Sequence, residues 1–177
     1  RPDTTLENLA KLPPVYCNTG TVTAGNAPAV NDGASAVVLM SREKAEELGV
    51  PVLATIKGYA QASRESRYIT TVPCLAIQNL MEKHDLVIDD FDLIEINEAF
   101  AAVPLVSCKV LGIDEKTMDE KVNVNGSAVA VGHPIGATGA RILMTLIYEL
   151  KRSGKKNGVC AICSGMAQGD AVWVSVE

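Results

Sequence analysis

The stretch Phe91-Asp92-Leu93-Ile94-Glu95-Ile96-Asn97-Glu98-Ala99-Phe100 sets the reading of the whole chain. Phe91 to Ile96 reads as a strand that runs straight into Asn97-Glu98, and Ala101 to Leu111 continues as a helix. Working outward, the same alternation recurs. Before it, Pro73 to His84 carries Leu75, Ile77, Leu80 and Met81 at helical spacing. Val52 to Gly58 reads as a strand followed by a polar loop, Gln61 to Tyr68. After it come a charged surface insertion (Asp114 to Lys121), a Gly-rich stretch (Asn123 to Gly139) and an amphipathic helix (Ala140 to Lys151) with Ile142, Leu143, Leu146, Ile147 and Leu150 inward. Val159 to Ile162 and Ala171 to Val176 read as a pair of strands. Their connection, Cys163 to Asp170, resembles no short hairpin turn. Strands alternating with helices predict a layered α/β fold with a mixed sheet.

The N-terminal third is less regular. A Thr cap opens a short helix near Leu6, and Pro13-Pro14 stops it. Thr19 to Gly33 keeps no period and reads as a structured loop. Asp32 to Ala36 is expected to form a short buried helical turn and Val37 to Met40 a buried strand. Ser41 then caps a helix, Arg42 to Leu48, that Gly49 and Pro51 end.

Composition narrows the function classes. The chain has 177 residues, 47% of them hydrophobic and 21% charged, which fits a packed globular protein. Sixteen basic against twenty-one acidic residues, with no basic run and only 4% aromatics, argue against a nucleic-acid partner. The longest uncharged stretch with apolar residues, Val122 to Ala140, is broken by Asn, Gly, His and Pro, so it is not a membrane span. The opening Arg1-Pro2-Asp3 has no signal-peptide pattern, and an opening without Met suggests a cut or processed chain. Cysteines at 17, 74, 108, 160 and 163 are odd in number and irregular in spacing. They argue for a reducing compartment, cytoplasmic or an organellar matrix. Cys160-x-x-Cys163 has no second ligand pair nearby, so no metal site is expected.

Three segments carry candidate chemistry. His133 sits in Gly132-His133-Pro134-Ile135-Gly136, where its neighbours restrict the backbone; it suits a general base or a donor to a developing oxyanion. A loop histidine satisfied by a backbone carbonyl is the structural alternative. Cys163 heads Ser164-Gly165-Met166 and suits a nucleophile or an acid/base, against the commoner fate of a packed thiol. Asn97 can position water or an oxygen without carrying charge, while Glu98 either works in the site or complements a helix N-terminus. His84 ends a helix, where a cation favours the dipole. The glycines at 132, 136 and 139 resemble a phosphate cradle, but the Walker lysine and the Gly-x-Gly-x-x-Gly spacing are missing. Cys163, His133 and Asn97 also imitate the trio of papain-like hydrolases, without that family's local signatures.

In this order the segments resemble the thiolase family. Asn97-Glu98-Ala99-Phe100-Ala101, then Asn123-Val124-Asn125-Gly126 through Gly132-His133-Pro134-Ile135-Gly136-Ala137-Thr138-Gly139-Ala140-Arg141, then Cys163-x-Gly165 look like its C-terminal signatures. Gly20 to Asn26 and Asn31-Asp32-Gly33-Ala34 resemble its coenzyme A loop. The resemblance implies the C-terminal half of a five-layered α/β/α/β/α arrangement. It divides the chain into a connector and coenzyme A loop, 1–33, and a C-terminal domain, 34–177. It implies reversible Claisen chemistry on acyl-CoA thioesters, with acyl-CoA as substrate and no covalently bound cofactor. His133 would activate a nucleophilic cysteine, Cys163 would exchange a proton with the α-carbon, Asn97 would hold an oxyanion-hole water, and Gly165 would lend its N–H to a second oxyanion hole. Ala24, Ala99 and Phe100 would contact substrate or coenzyme A. In the family the nucleophile lies in the N-terminal half, so that half is the implied partner and this chain alone is expected to be inactive. The full enzymes are homodimers or homotetramers. The nearest expectation is an acetyl-CoA acetyltransferase type. A 3-ketoacyl-CoA thiolase of another chain-length preference and a non-catalytic coenzyme A-binding or subunit-interaction module are the alternatives. Pro28 replaces a usual Ser, Ile69-Thr70-Thr71-Val72-Pro73 replaces a Met-Gly-x-Gly-Pro stretch, and Ser127 stands where a second Gly is usual.

Overall fold

The computed structural model describes residues 1–177. One four-stranded sheet organises it, built from β1 (Thr55–Ser63), β2 (Leu93–Ile96), β3 (Asn157–Ser164) and β4 (Gln168–Ser175) in the order β1-β4-β3-β2. β2 and β3 are parallel, and the other two pairs are antiparallel, so the sheet is mixed as expected.

Side-chain alternation gives each sheet face its own core. On one face Ala60, Ile94, Ile96, Val159, Ala161 and Ala171 meet Ala76, Ile77 and Leu80 of α3 (Val72–His84), together with Val103 and Cys108 of α4 (Ala102–Leu111). On the other, Leu93, Cys160 and Val174 meet Ile142, Leu146 and Leu150 of α7 (Ile135–Ser153). The chain thus forms three layers, α/β/α. α7 stays on the sheet because its buried residues recur at every fourth position, while Lys151 and Arg152 complement its C-terminal dipole and Gly154 ends it at φ 69°.

The shorter helices start where local side chains satisfy free N–H groups. Thr5 Oγ1 accepts from Asn8 N before α1 (Leu6–Ala10), and Ser41 Oγ accepts from Lys44 N before α2 (Arg42–Leu48). Asp114 Oδ1 accepts from Thr117 N at 2.7 Å, which turns the expected surface insertion into α5 (Glu115–Lys121). A one-turn α6 (Ala128–Val131) follows. No helix is long and apolar enough to cross a membrane.

The structure corrects several boundaries. β1 begins at Thr55 and absorbs Gln61 to Ser63, which the sequence places in a loop. It is an edge strand whose Ala60 and Ala62 face the core, while Tyr59, Gln61 and Ser63 face solvent. Ser66–Thr71 is a 3₁₀ turn. α7 starts five residues before Ala140, at Ile135. Burial of Ala137 and Thr138 outweighs the weak helix propensity of Gly136 and Gly139.

β3 and β4 form a hairpin after all. Ser164 pairs with Gln168 across Gly165, Met166 and Ala167. Met166 (φ 61°) and Ala167 (φ 53°) carry the left-handed turn that Gly or Asn would ordinarily signal, and this is why no turn is legible there.

Residues 32–36 form no helical turn, and Val37 to Met40 form no strand. They are not buried either: Val38 is 83% and Leu39 69% exposed. An apolar run predicts burial without naming what covers it, and nothing in this chain does.

Candidate active site

The C-terminal ends of the parallel pair β2 and β3 gather the candidate residues, as expected for an α/β sheet. Asn97 leaves β2 with its N–H still donating to Ala161 O at 2.9 Å, so the ladder fixes its backbone. The outer edge of β2 is held by a side chain. Asn123, at φ 48°, accepts from Ile96 N at 2.8 Å and donates to Ile96 O at 2.9 Å. Glu98 Oε2 accepts from Val129 N at 2.9 Å, in the first turn of α6, and Oε1 accepts from Asn123 Nδ2 at 3.4 Å. Glu98 thus complements a helix N-terminus, that of α6.

His133 is held on three sides. Its N–H donates to Asn31 Oδ1 at 2.9 Å, and Gly132 before it stands at φ 100°, where a Cβ would also meet the Asn31 side chain. Ring atom Nδ1 lies 2.8 Å from Thr138 Oγ1, and Nε2 lies 3.3 Å from Asn97 Nδ2. Neither ring nitrogen uses the backbone carbonyl of the structural alternative; both face side chains. Burial, and secondarily the Arg141 charge, holds the imidazole below its ordinary pKa, so it is neutral at pH 7. Asn97 is fully buried, and its Oδ1 has no protein partner.

Two further ionisable groups, Glu95 and Arg141, feel each other's charge without forming an ion pair. Glu95 is 2% exposed, and burial pushes its carboxyl up to about 7 despite the opposing pull of Arg141. Arg141 Nη1 reaches Ser127 Oγ at 3.5 Å, while Arg141 Nη2 and Glu95 Oε2 have no protein partner.

Cys163 lies two residues beyond Ala161 on β3, about 6.6 Å further along the strand that anchors Asn97. It is half-buried and makes no hydrogen bond to His133 or Asn97. Burial raises its thiol pKa, so it remains protonated at neutral pH. A nucleophilic cysteine of the papain kind needs the opposite shift from a paired imidazolium, and the geometry lacks that pair. Cys160 stands three residues from Cys163 on one strand, hence on the opposite face. It is packed among Leu93, Ile142 and Val174, its thiol pushed up to about 12.

The turn after Cys163 has two unlike glycines. A Cβ at Gly165 would meet nothing within 4 Å. At Gly169, paired with Cys163 across the hairpin, a Cβ would overlap the Val72 carbonyl at the start of α3.

Asn26 O accepts from Ala101 N at 2.9 Å, which ties the Thr23–Asn26 turn that carries Ala24 to the residue following Ala99 and Phe100. Phe100 packs edge-on to Tyr16, with ring centroids 6.5 Å apart. His84 does end α3, but its ring packs edge-on to Trp173 at 5.7 Å, and its role is packing. Sequence reasoning gave no role to Asn31, Asn123, Thr138, Glu95 or Arg141. Each acts through a partner far along the chain or on another element, which spacing does not reveal.

One end of this α/β sheet thus presents a histidine, an uncharged amide and a thiol. Comparison with known proteins names the class: this chain belongs to the thiolase family. The model of the thiolase C-terminal domain matches residues 50–176, and that of the thiolase N-terminal domain matches residues 1–43, with most of α2 between them. The acetyl-CoA acetyltransferase of Syntrophomonas wolfei is 48% identical over 170 residues, covering 96% of this chain and 42% of that protein. The crystal structure of the Bacillus anthracis acetyl-CoA acetyltransferase superposes with a TM-score of 0.92 at 48% identity, over 100% of this chain and 44% of that one. Human mitochondrial 3-ketoacyl-CoA thiolase in complex with CoA does so with a TM-score of 0.92 at 42% identity, again over 100% and 44%. The chain thus spans less than half the length of the relatives it matches.

Proposed function

We propose that this chain supplies the His, Cys and Asn of a thiolase active site that cleaves or forms β-ketoacyl-CoA, of the acetyl-CoA acetyltransferase type. The observation that carries this reading is the contact of Asn97 Nδ2 with His133 Nε2 at the strand ends next to Cys163. In the cleavage direction a nucleophilic cysteine, outside this chain, gives its proton to His133 Nε2 and attacks the keto carbon. As the carbon–carbon bond breaks, its electron pair moves to the α-carbon and the thioester oxygen becomes an enolate oxygen. The Nε2–H then formed on His133, with a water held by Asn97 Oδ1, donates to that oxygen. Cys163 gives its thiol proton to the α-carbon, and its raised pKa keeps that proton in place until then. In condensation these transfers run in reverse. The N–H of Gly165 serves the tetrahedral intermediate on the nucleophile.

Acyl-CoA is the substrate in this reading, with its pantetheine passing the Ala24 turn beside Ala99 and Phe100. The exposed apolar residues Val30 and Val37 to Met40 fit contact with the remainder of a thiolase N-terminal domain, and full assembly as a dimer or tetramer would follow. The test is thiolysis of acetoacetyl-CoA by this chain, alone and with the N-terminal portion of the Syntrophomonas wolfei relative. Activity only in the mixture, abolished by His133→Ala and by Cys163→Ala, is expected. Activity of the chain alone would overturn the claim that the nucleophile lies elsewhere. A second reading, preference for longer β-ketoacyl chains, is favoured by the position of Ile69 to Pro73, since Val72 O lies against Gly169 opposite Cys163. It predicts thiolysis of a longer β-ketoacyl-CoA where acetoacetyl-CoA is inert. Binding of acyl-CoA without either activity would leave a binding module.

A further inference from the structure

We infer that Thr138 is a positioning residue that fixes the tautomer of His133, with the proton on Nδ1 and the lone pair of Nε2 turned to the site. Three contacts carry this. Thr138 Oγ1 lies 2.9 Å from Pro134 O and 2.8 Å from His133 Nδ1, and His133 Nε2 lies 3.3 Å from Asn97 Nδ2. A threonine hydroxyl has one proton to donate. Pro134 O can only accept, and two oxygens at 2.9 Å with no proton between them repel. The hydroxyl proton therefore sits between Thr138 and Pro134, in the bond of a threonine to the carbonyl four residues earlier.

The hydroxyl is then left with lone pairs toward the ring, so Nδ1 must carry the N–H. Nε2 is consequently an acceptor, and the group it faces must donate; the amide nitrogen of Asn97 does. The direction of donation runs unbroken from Asn97 through the imidazole and Thr138 to Pro134. The opposite tautomer turns the Asn97 amide round, takes the hydroxyl proton to Nδ1 and leaves the Thr138–Pro134 oxygen pair with no proton, one hydrogen bond fewer.

Burial makes the difference matter. Thr138 is fully buried, so water does not compensate its lost partner. The imidazole is neutral at pH 7, hence one tautomer or the other. Thr138 never needs to touch a reacting atom; it decides which ring nitrogen is basic. The use of Nε2 as the base rests on the thiolase reading, whereas the tautomer does not.

The experiment is a long-range ¹H–¹⁵N spectrum of this chain with ¹⁵N-labelled imidazoles, recorded at pH 8. His133 is assigned by the loss of its signals in His133→Asn, and His84 serves as internal reference. The protonated-type nitrogen is expected at Nδ1 and the lone-pair type at Nε2. Thr138→Val should move the majority of His133 to the Nε2–H form, Thr138→Ser should restore the Nδ1–H form, and His84 signals should not move. An Nε2–H form in the unaltered chain overturns the inference whether or not the Val variant folds. So does a Val variant that folds and keeps Nδ1–H. Because the readout is independent of turnover, a negative thiolysis assay leaves this result intact.

Discussion

Asn123 stands in for a missing strand beside Ile96: its side-chain amide takes both backbone groups of that residue, at 2.8 and 2.9 Å, where a fifth strand would. The next residue is Asn97, so the edge that Asn123 closes is also the mount for the histidine's partner. Asn123→Ala leaves a buried N–H and a buried C=O of Ile96 without partners. It should cost about 2–6 kcal/mol of stability by urea denaturation, at about 1–3 kcal/mol per orphaned group. A loss under about 0.5 kcal/mol would mean that water replaces the amide there.

The two glycines of the Cys163 hairpin should separate stability from activity. Gly169→Ala drives a methyl into the Val72 carbonyl and should destabilise the chain by about 1–3 kcal/mol or more, as overpacking against backbone does. Gly165→Ala meets open space and should change stability by less than about 0.5 kcal/mol. The second variant should nonetheless slow thiolysis in the complemented enzyme. Equal melting losses for both would contradict the open space found at Gly165.

Met166 holds a left-handed backbone at φ 61° and is exposed. Left-handed geometry costs an L-residue roughly 1–2 kcal/mol, and glycine gives back roughly 0.5–1 kcal/mol of that in unfolded-chain entropy. Met166→Gly should therefore stabilise by about 0.5–1 kcal/mol, read as a shift in denaturation midpoint at unchanged slope.

Glu95 should make stability fall as pH rises. Its folded pKa is raised, from 4.5 to about 7. Between those values the folded chain holds a proton that the unfolded chain has lost, so unfolding gains with each step in pH. The penalty is absent below pH 4.5 and complete above pH 7. Glu95→Gln, a permanent copy of the protonated acid, should match the unaltered chain at pH 4 and exceed it at pH 8 by about 3 kcal/mol at most, at about 1.36 kcal/mol per pKa unit. Urea titrations at both values check this. A Gln variant weaker than the unaltered chain at pH 8 would show that attraction to Arg141 outweighs the burial of the charge.

Regular elements were legible where one period dominates, as in α3, α7 and β2. They were missed where the deciding partner is remote. The polar residues Gln61 and Ser63 hid the second half of β1 because only Ala60 and Ala62 face inward there, and the hairpin hid behind a turn built from Met166 and Ala167. In the site, His133, Asn97 and Cys163 announce themselves by residue type. Thr138 and Asn31 do not, because a threonine inside a helix and an asparagine in a loop gain their roles only when the histidine is laid against them. Val37 to Met40 fail for another reason: hydrophobicity says that a segment belongs under something, and in this chain nothing covers it.

The contact between Gly169 and the Val72 carbonyl has an evolutionary consequence. Val72 lies in the stretch Ile69 to Pro73, and Gly169 is the cross-strand neighbour of Cys163. Drift in that stretch therefore leans on the hairpin that carries the thiol. Substitutions at the two places should be non-additive, and an exchange of residues 69–73 with a relative should be tolerated best when the hairpin is exchanged with it.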